Sequence, residues 1–493
     1  MQHISRRKFL NKAGIAVCGV TSFGLLPFNS FGKIGLAPIK VTGKIADDKG
    51  RGVPKVVMTD GINTSLTDKE GNYELLTNSG QEYVYMSIPA GYQIPRQQNG
   101  SAAFFALLGT QKERQTINFS LKKGENDDKH TFLLLADPQI QNEYEAGLLL
   151  SQTLPDVKKT LGRFDKSKAF GIGCGDLVFD QFDLFKDYNQ LVRGTDIPFF
   201  QVIGNHDLDL EASSDRLSSA TFKRHYGPAY YSFNRGEIHY IVLDDVFYLG
   251  SHKNYLGYID DEQLSWLEKD LSYLEKGQTV VVSLHIPLVT GDFTRYPDND
   301  HRGGTVSNRE KIYELLSPFQ AHVMSGHTHF NDNKTSGNIY EHCHGTVCGA
   351  WWSGPICYDG TPNGYGVYKA NGSSLEWYYK STGLDENHQF RIYKEGEHPD
   401  FGEFHAVNVW NWDKNWQVSW LEDGIRKGEP LRIISHDPLS IKLHKGTQLP
   451  ERRQWVEPHL TDHMFYFKPD KQDANIVVEA KDPFGNVFSS KLK

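Results

Sequence analysis

The chain has 493 residues, of which 38% are hydrophobic and 23% are charged, an ordinary composition for a globular protein. This length predicts two to four domains with sizeable cores. The formal net charge of −8 argues against a nucleic-acid partner bound through its phosphates. Beyond the first thirty residues no apolar run is long enough to span a bilayer, so we expect no transmembrane segment in the mature chain.

Residues 1–32 are typical of an export signal. Residues 5–10 have the sequence SRRKFL, which resembles a twin-arginine motif, and residues 13–27 supply a modest apolar stretch. The alternatives are an ordinary secretion signal, a disordered basic tail or a lipid anchor at Cys18. Twin-arginine export is favoured, which predicts a periplasmic or secreted protein.

The cysteines outside that segment do not form a disulfide framework. They are Cys174, Cys343, Cys348 and Cys357. Cys174 follows a predicted strand and is expected to be a small buried apolar residue. In an oxidising compartment, two of the other three cysteines could form one disulfide bridge.

Residues 38–122 predict an all-β domain. Valine, isoleucine and tyrosine alternate with polar residues, and glycine-containing turns interrupt the pattern. The segment has the length of a small seven-stranded sandwich. A polar linker at residues 122–129 separates it from the next domain.

Residues 130–335 predict an α/β layered domain, because strand-like runs alternate with helical patterns. The strand-like runs are residues 131–136, 168–174, 198–203, 238–243, 279–284 and 321–324. The clearest helix is predicted at residues 261–276, where leucines share one face. Residues 346–493 return to a β pattern and hold eight of the nine tryptophans, so we expect a separate β-rich domain there.

Five polar motifs follow predicted strands of the central segment. They are Asp137-Pro138-Gln139, Gly175-Asp176, Gly204-Asn205-His206-Asp207, His285 and Gly326-His327-Thr328-His329. Strand ends in α/β proteins meet at one crevice, so these side chains are expected to converge. Carboxylate, amide and imidazole donors suit divalent metals, and the dominant chemistry of two adjacent metals is hydrolysis of phosphate esters.

Two of these residues are predicted to have special roles. Asp176 is expected to bridge two metals through its two oxygens. His206 is followed by Asp207, a carboxylate that would hold and orient the imidazole ring. His206 would then protonate the leaving oxygen of the substrate, so His206 and Asp207 are the predicted catalytic pair.

Residues 130–330 resemble the calcineurin-like metallophosphoesterase family. Residues 38–122 resemble the N-terminal β domain carried by one bacterial branch. The sequences GAWWSG at residues 349–354 and DGTPNGY at residues 359–365 resemble the C-terminal domain of the same branch. The resemblance implies a central four-layer α/β/β/α sandwich of two mixed sheets, flanked by an N-terminal β-sandwich and a C-terminal β-rich domain.

The resemblance also implies a set of metal ligands and a catalytic histidine. A first metal is implied at Asp137, Gln139, Asp176 and His329, and a second at Asp176, Asn205, His285 and His327. His206 corresponds to the catalytic histidine. The two divalent ions would be manganese, iron, zinc or magnesium.

Gln139 departs from the family's commonest first motif, which has histidine at this position. Its amide oxygen would be a harder ligand than imidazole, which favours manganese or magnesium over zinc. Alternatively, Gln139 does not bind metal and water fills the position. Both alternatives stay open from the residues alone.

We therefore expect a metal-dependent hydrolase of small-molecule phosphate monoesters or diesters, acting through a hydroxide activated by two metals. The alternative is a non-catalytic cell-surface or carbohydrate-binding protein with a degenerate metal site.

Two interpretations stay open for the aromatic segment that includes Trp351, Trp352 and the loop at residues 359–365. It either closes over the site or belongs to the β core. The histidines outside the motifs are expected to be structural or at the surface: His225, His239, His252, His301, His342 and His344.

Overall fold

The computed structural model describes residues 36–109, 112–251 and 254–492. The predicted export signal at residues 1–32 therefore lies outside the described residues, and so do Cys18 and His252. Within the described ranges, no helix combines the length and the hydropathy needed to cross a membrane.

The N-terminal domain is a β-sandwich built from two four-stranded sheets. Its strands are β1 (Pro38–Asp47), β2 (Val57–Thr59), β3 (Thr64–Leu66), β4 (Asn72–Asn78), β5 (Tyr83–Met86), β6 (Phe105–Leu107), β7 (Arg114–Thr116) and β8 (Phe119–Leu121). In one sheet β1 pairs with β4, β7 and β8, and the other sheet has the order β3-β2-β5-β6. Along β4, Tyr73 and Leu75 are buried while Glu74 and Leu76 are exposed, as expected when one face covers a core.

The central domain contains two mixed sheets. Its strands are β9 (Lys129–Leu135), β10 (Ala169–Cys174), β11 (Phe199–Val202), β12 (Tyr231–Arg235), β13 (Ile238–Val242), β14 (Val246–Tyr248), β15 (Tyr255–Gly257), β16 (Thr279–Ser283), β17 (Gln320–Ser325), β18 (Asp332–Ser336), β19 (Ile339–Cys343), β20 (Gly364–Asn371) and β21 (Ser374–Ser381). The sheet orders are β11-β10-β9-β20-β21 and β12-β13-β16-β17-β19-β18, and β14 pairs with β15 separately. Strands β9, β10 and β11 run parallel, and so do β13, β16, β17 and β19.

Alternate side chains of these strands enter two different cores. Phe132 of β9 meets Tyr240 of β13 edge to face at 5.5 Å, and Phe200 of β11 stacks on Phe233 of β12 at 3.7 Å. These contacts join the two sheets face to face. The next residue on β9, Leu133, belongs to the other core together with apolar side chains of the helices. The predicted four-layer sandwich is confirmed.

Helices connect the strands of the central domain. They are α1 (Glu143–Leu148), α2 (Leu154–Leu161), α3 (Phe185–Thr195), α4 (Asp215–Ser218), α5 (Ala220–Tyr226), α6 (Asp261–Leu271), α7 (Asp292–Arg295) and α8 (Arg309–Leu316), with a π-helical turn at Leu149–Thr153. The Asp260 side chain caps α6 by accepting a hydrogen bond from the Gln263 backbone N–H. The helix ends five residues before the predicted position 276, because the chain tightens into a turn in which Leu274 N–H donates to the Leu271 carbonyl.

The central sheet extends beyond its predicted boundary. Strands β20 and β21 were expected in the C-terminal domain, yet β20 pairs antiparallel with β9 along Gly366–Asn371. The central sheet therefore includes two strands, up to Ser381, from the segment that was predicted as the C-terminal domain. The burial of β20 explains this, since residues 364–368 are buried in succession, as in an interior strand.

The C-terminal domain is a second sandwich with an aromatic core. It contains β22 (Arg391–Tyr393), β23 (His405–Asn408), β24 (Gln417–Glu422), β25 (Ile425–Gly428), β26 (Leu431–His436), α9 (Pro438–His444), β27 (Leu460–Phe467), β28 (Ile476–Lys481) and β29 (Val487–Lys491). Trp416 stacks on Phe488 and Trp420 on Phe467, so part of the tryptophan-rich block forms the core.

The four described cysteines are buried free thiols. The disulfide bridge that the sequence allowed among three of them is therefore not formed.

Candidate metal centre

The five polar motifs follow the carboxyl ends of parallel strands in both sheets. Asp137, Asp176 and Asn205 come after β9, β10 and β11, while His285 and His327 come after β16 and β17. Parallel strands present their carboxyl ends at one edge, so the topology brings these side chains to a common crevice.

The tightest part of the crevice surrounds His285. Its Nε2 atom lies 3.3 Å from Asp176 Oδ1, 3.1 Å from Asn205 Oδ1 and 3.2 Å from His327 Nδ1. One ligand atom each from Asp176, His285 and His327 lies within 4.8 Å of the other two. These four residues are the predicted second-metal set, and the fold brings them all together.

The predicted first-metal set lies on the other side of Asp176. His329 Nε2 is 3.5 Å from Asp137 Oδ1, and the Gln139 amide donates from Nε2 to Asp176 Oδ2 at 2.9 Å. Asp176 thus faces His285 with one oxygen and Gln139 with the other. All of these side chains are almost fully buried. Gln139 lies at the site, and binding of a metal through its amide oxygen stays a prediction.

Backbone carbonyls fix the orientation of three histidine rings. Nδ1 of His285 lies 3.1 Å from the Cys174 oxygen, Nε2 of His327 lies 3.0 Å from the Gly303 oxygen, and Nδ1 of His329 lies 2.6 Å from the Gly349 oxygen. A carbonyl only accepts hydrogen bonds, so each of these ring nitrogens carries its hydrogen. In His327 and His329, which stay neutral, the opposite nitrogen then presents its lone pair to the crevice, as in histidines that bind metals.

The charges of the crevice favour a cation. Burial raises the pKa of Asp137 to about 8, whereas for Asp176 the effect of burial is outweighed by the charge of His285, which leaves the pKa below its ordinary value. Burial lowers the pKa of His285, but Asp176 raises it to about 10. Burial lowers the pKa of His327 to about 3 and that of His329 to about 4. The site therefore stabilises positive charge at the centre of the cluster, and its neutral imidazoles fit a bound cation.

Glycines let the backbone approach these donors closely. A Cβ atom on Gly204 would lie 2.3 Å from Asp176 Oδ1, and one on Gly326 would lie 2.2 Å from Asp137 Oδ2. Either methyl group would fill the space next to a donor oxygen. The motif glycines therefore preserve room at the two carboxylates, which fits the same cation.

The donors are held in a strained backbone conformation. Asp137, Gln139, Asp176, His327 and His329 all have φ between 40° and 68°, in the left-handed region. Such residues are uncommon outside glycine, and they cluster at functional sites where the surrounding structure holds them in place.

His206 is held by a different carboxylate from the one predicted. Its Nδ1 lies 2.8 Å from Asp180 Oδ1. Asp207 instead accepts hydrogen bonds from the backbone N–H groups of Leu177, Val178 and Gly204 and is fully buried. The expectation that Asp207 orients His206 is therefore wrong. Asp207 supports the loop that carries Asp176, and burial raises its pKa to about 7.

The groups that surround the His206 ring lie outside the five sequence motifs. Phe179 stacks on His206 with centroids 3.9 Å apart and planes 19° apart. Arg453, from the C-terminal domain, places its guanidinium 5.3 Å from the Phe179 ring centre. Asp180 was detectable as a carboxylate four residues after Asp176, whereas nothing in the sequence indicated Arg453.

The tryptophan pair divides between the site and the core. Trp351 stacks on His329 at 4.0 Å with planes 18° apart, so it forms a wall of the site. Trp352 is buried and donates from Nε1 to the Pro138 carbonyl. Asp359 accepts hydrogen bonds from the Asn331 and Thr361 backbones, which makes its loop a structural turn.

Three models of one protein family match consecutive segments of the chain. The family models match residues 39–124 as the N terminal of Calcineurin-like phosphoesterase, residues 130–331 as Calcineurin-like phosphoesterase, and residues 341–488 as the C terminal of Calcineurin-like phosphoesterase. The chain belongs to the calcineurin-like phosphoesterase family. As a calcineurin-like phosphoesterase, it carries the metal-site motifs at the strand ends described above.

Relatives of this calcineurin-like phosphoesterase include proteins named as phosphatases. Serine/threonine-protein phosphatase CPPED1 from Homo sapiens is 25% identical over 233 residues, which cover 42% of this chain and 72% of that protein. Purple acid phosphatase 15 from Arabidopsis thaliana is 26% identical over 156 residues, which cover 29% of this chain and 27% of that protein. The solved structure of purple acid phosphatase PPD1 from yellow lupin (Lupinus luteus) seeds aligns with a TM-score of 0.37 and 15% identity over 70% of this chain and 72% of that chain.

Proposed function

We propose that the protein is a metal-dependent hydrolase of phosphate esters with two divalent metal ions. The observation that carries this proposal is the convergence of Asp176, Asn205, His285 and His327 on a single point, with Nε2 of His285 within 3.3 Å of the other three donors. Membership of the calcineurin-like phosphoesterase family supports the same chemistry.

The donors divide into two groups that share Asp176. Asp137, Gln139, Asp176 and His329 would hold one ion, and Asp176, Asn205, His285 and His327 would hold the other. Two bound divalent ions supply Lewis-acid activation of water and neutralise charge on the phosphoryl oxygens. Gln139 in place of histidine favours manganese or magnesium.

His206 supplies the proton for the departing oxygen. Its backbone N–H donates to Asp176 Oδ1 at 2.8 Å, which fixes the main chain beside the metal ligands. Asp180 holds Nδ1 of the ring, so Nε2 is the atom left to face a substrate. Because Phe179 covers one face of the ring, the imidazole is restrained before substrate arrives. A ring held in this way donates its proton from Nε2 to the leaving alkoxide.

The substrate is a small-molecule phosphate ester. Neither a monoester nor a diester is favoured by the donor set, because both reactions use the same ligands. The sequence of residues 5–10 further supports export to the periplasm or the medium.

The test is metal content and turnover of the purified protein. We expect about two equivalents of manganese after loading and hydrolysis of nitrophenyl phosphate or bis(nitrophenyl) phosphate. Asp176→Asn should lose bound metal and turnover together. His206→Ala should keep metal while turnover of an alkyl phosphate, whose leaving group needs a proton, falls by roughly 10²–10⁴. Asp48→Asn, at an exposed position far along the chain from the motifs, is the matched control. A protein that neither binds manganese nor hydrolyses either ester would favour the non-catalytic binding protein instead.

A further inference from the structure

A cleft leads from the candidate metal centre toward the C-terminal domain. Its inner part, about 180 Å³, reaches the metal-site residue His327, and its outer part, about 480 Å³, reaches Trp455 and His459. The two parts share wall residues: Asp292, His301, Gly304, Trp351 and Tyr358. They therefore form one continuous depression that begins at the metal ligands.

Aromatic rings form one wall of this cleft. Trp351, already stacked on His329, lies 4.7 Å from Trp455 and 5.7 Å from Tyr358 between ring centroids. Trp455 is 58% exposed, although tryptophan is usually largely buried. An exposed tryptophan next to a cavity offers a flat apolar face to a ligand ring.

The charged groups of the cleft are already paired within the protein. Asp292 pairs with Arg295 and His459, each at 2.9 Å. Asp300 pairs with Arg302 at 2.6 Å, and Glu457 pairs with Lys445 at 3.2 Å. Among the described residues that line the cleft there is neither lysine nor arginine. A second phosphate on the ligand would therefore find no lysine or arginine partner in the cleft wall, and a ligand cation would find only carboxylates that are already paired.

His301 offers a polar atom that the protein does not use. Its Nε2 atom is buried and has no hydrogen-bond partner among the described residues, while its ring packs on Phe293 with centroids 4.4 Å apart. The same loop supplies the Gly303 oxygen that fixes His327. Buried polar atoms are almost always hydrogen-bonded, and the His301 residue lines both parts of the cleft. A ligand bound there would supply the missing partner after a small movement of the ring.

We propose that this cleft binds the leaving group of the substrate, and that the leaving group is an uncharged ring with hydrogen-bonding substituents. Trp455 and Trp351 contact the flat face of the ring, and His301 Nε2 bonds one of its polar substituents. Nucleosides and sugars share this chemistry. The inference rests on the proposed function, because it requires the scissile phosphate to lie at the metal centre.

The test compares three primary-alcohol phosphates on the manganese-loaded full-length protein: adenosine 5′-phosphate, glucose 6-phosphate and glycerol 3-phosphate. Their leaving groups differ in the ring rather than in the type of alcohol. We expect at least one ring ester to have about tenfold higher kcat/KM than glycerol 3-phosphate. Whichever ring ester is preferred identifies the leaving group as a nucleoside or a sugar.

Trp455→Ala and His301→Ala test the wall residues. Each should raise KM for the preferred ring ester about tenfold and leave kcat/KM for glycerol 3-phosphate within about twofold. Leu431→Ala, at a 61% exposed apolar position on β26 outside the cleft, should change neither value. Saturation-transfer NMR with adenosine and methyl glucoside gives a readout that needs no turnover, and Trp455→Ala should abolish the signal of the bound ring.

The outcomes separate this inference from the proposed function. If all three esters react equally well in the wild type, or if Trp455→Ala lowers all three rates alike, the cleft assignment is wrong and the hydrolase stands. If no ester reacts and no manganese binds, the proposed function is wrong. In that case a bound ring in the NMR experiment supports the cleft as a binding site, and no bound ring overturns it.

Discussion

Phe179 stacks on His206 with their ring centroids 3.9 Å apart, and the next residue, Asp180, lies 2.8 Å from His206 Nδ1. The proposed proton donor is thus held by adjacent residues, one acting on its ring face and the other on its edge. A group held in this way is restrained before substrate binds, which lowers the entropy loss of the reaction.

Removing the charge of Asp180 should impair proton donation. In Asp180→Asn the amide still reaches Nδ1 but no longer stabilises the imidazolium, so we expect kcat to fall about 10- to 100-fold. The fall should be largest for alkyl phosphates, because nitrophenolate departs without a proton. Turnover of both ester types, with metal content measured in parallel, checks this. An equal loss for both types would show that Asp180 supports the site in general rather than the proton donor.

Replacing Asp207 should act on stability instead. Its buried carboxylate accepts the backbone N–H groups of Leu177, Val178 and Gly204, and Asp207→Ala leaves these donors without partners. We expect a loss of about 3 kcal/mol in the free energy of unfolding, measured by urea denaturation. Asp209 lies two residues after Asp207, and its part-buried carboxylate accepts a hydrogen bond from the Thr221 backbone N–H. Asp209→Ala is the comparison and should lower the free energy of unfolding less. Unchanged stability of the Asp207 variant would contradict the structural role.

The convergence of the candidate metal-site residues could be predicted from the sequence. Each of these motifs follows an apolar strand, and the carboxyl ends of parallel strands meet at one edge by topology alone. Asp207 was misassigned for a related reason. Adjacency in the sequence suggested contact with His206, but in the short helical turn at Asn205–Asp207 the two side chains point to different partners.

The boundary of the central sheet and the outer wall of the site were not accessible from the sequence. Strand β20 has the pattern of any buried strand, and its partner β9 lies more than two hundred residues earlier in the chain. Arg453 lies in a loop whose local sequence has no catalytic pattern. Its position depends on how the C-terminal domain packs, which periodicity and spacing do not report.

Arg453 should link the C-terminal domain to the proton donor. Its Nη2 atom donates to Gln141 Oε1 at 2.8 Å and to Glu145 Oε1 at 3.0 Å, and its guanidinium covers Phe179. Arg453→Ala should loosen Phe179 and lower kcat about tenfold while metal content stays unchanged. The neighbouring Arg452 is exposed and lies over Tyr144, so Arg452→Ala is the control and should have little effect. Equal effects of the two variants would exclude a specific role for Arg453.

Acid should weaken the cluster that anchors the loop of residues 290–305. Buried Asp332 pairs with Arg295 at 2.9 Å and accepts the Gly291 backbone N–H. Burial raises the pKa of Asp332, but Arg295 and Lys334 lower it to about 2 from its ordinary value of 3.8. Because the folded-state pKa is the lower one, the stabilisation is complete above about pH 4 and is lost as pH falls toward 2.

Asp332→Asn tests this prediction through the free energy of unfolding measured as a function of pH. The wild type should lose about 2 kcal/mol of unfolding free energy from this group between pH 4.5 and pH 2, and Asp332→Asn should lack that part of the pH dependence. Asp332→Asn should also be less stable at pH 7, because buried Arg295 keeps its pair with Asp292 but loses the buried carboxylate of Asp332. Asp300→Asn, whose carboxylate pairs with Arg302 at the exposed surface, should cost little at pH 7. Parallel acid profiles for the wild type and Asp332→Asn would show that another carboxylate controls the acid sensitivity.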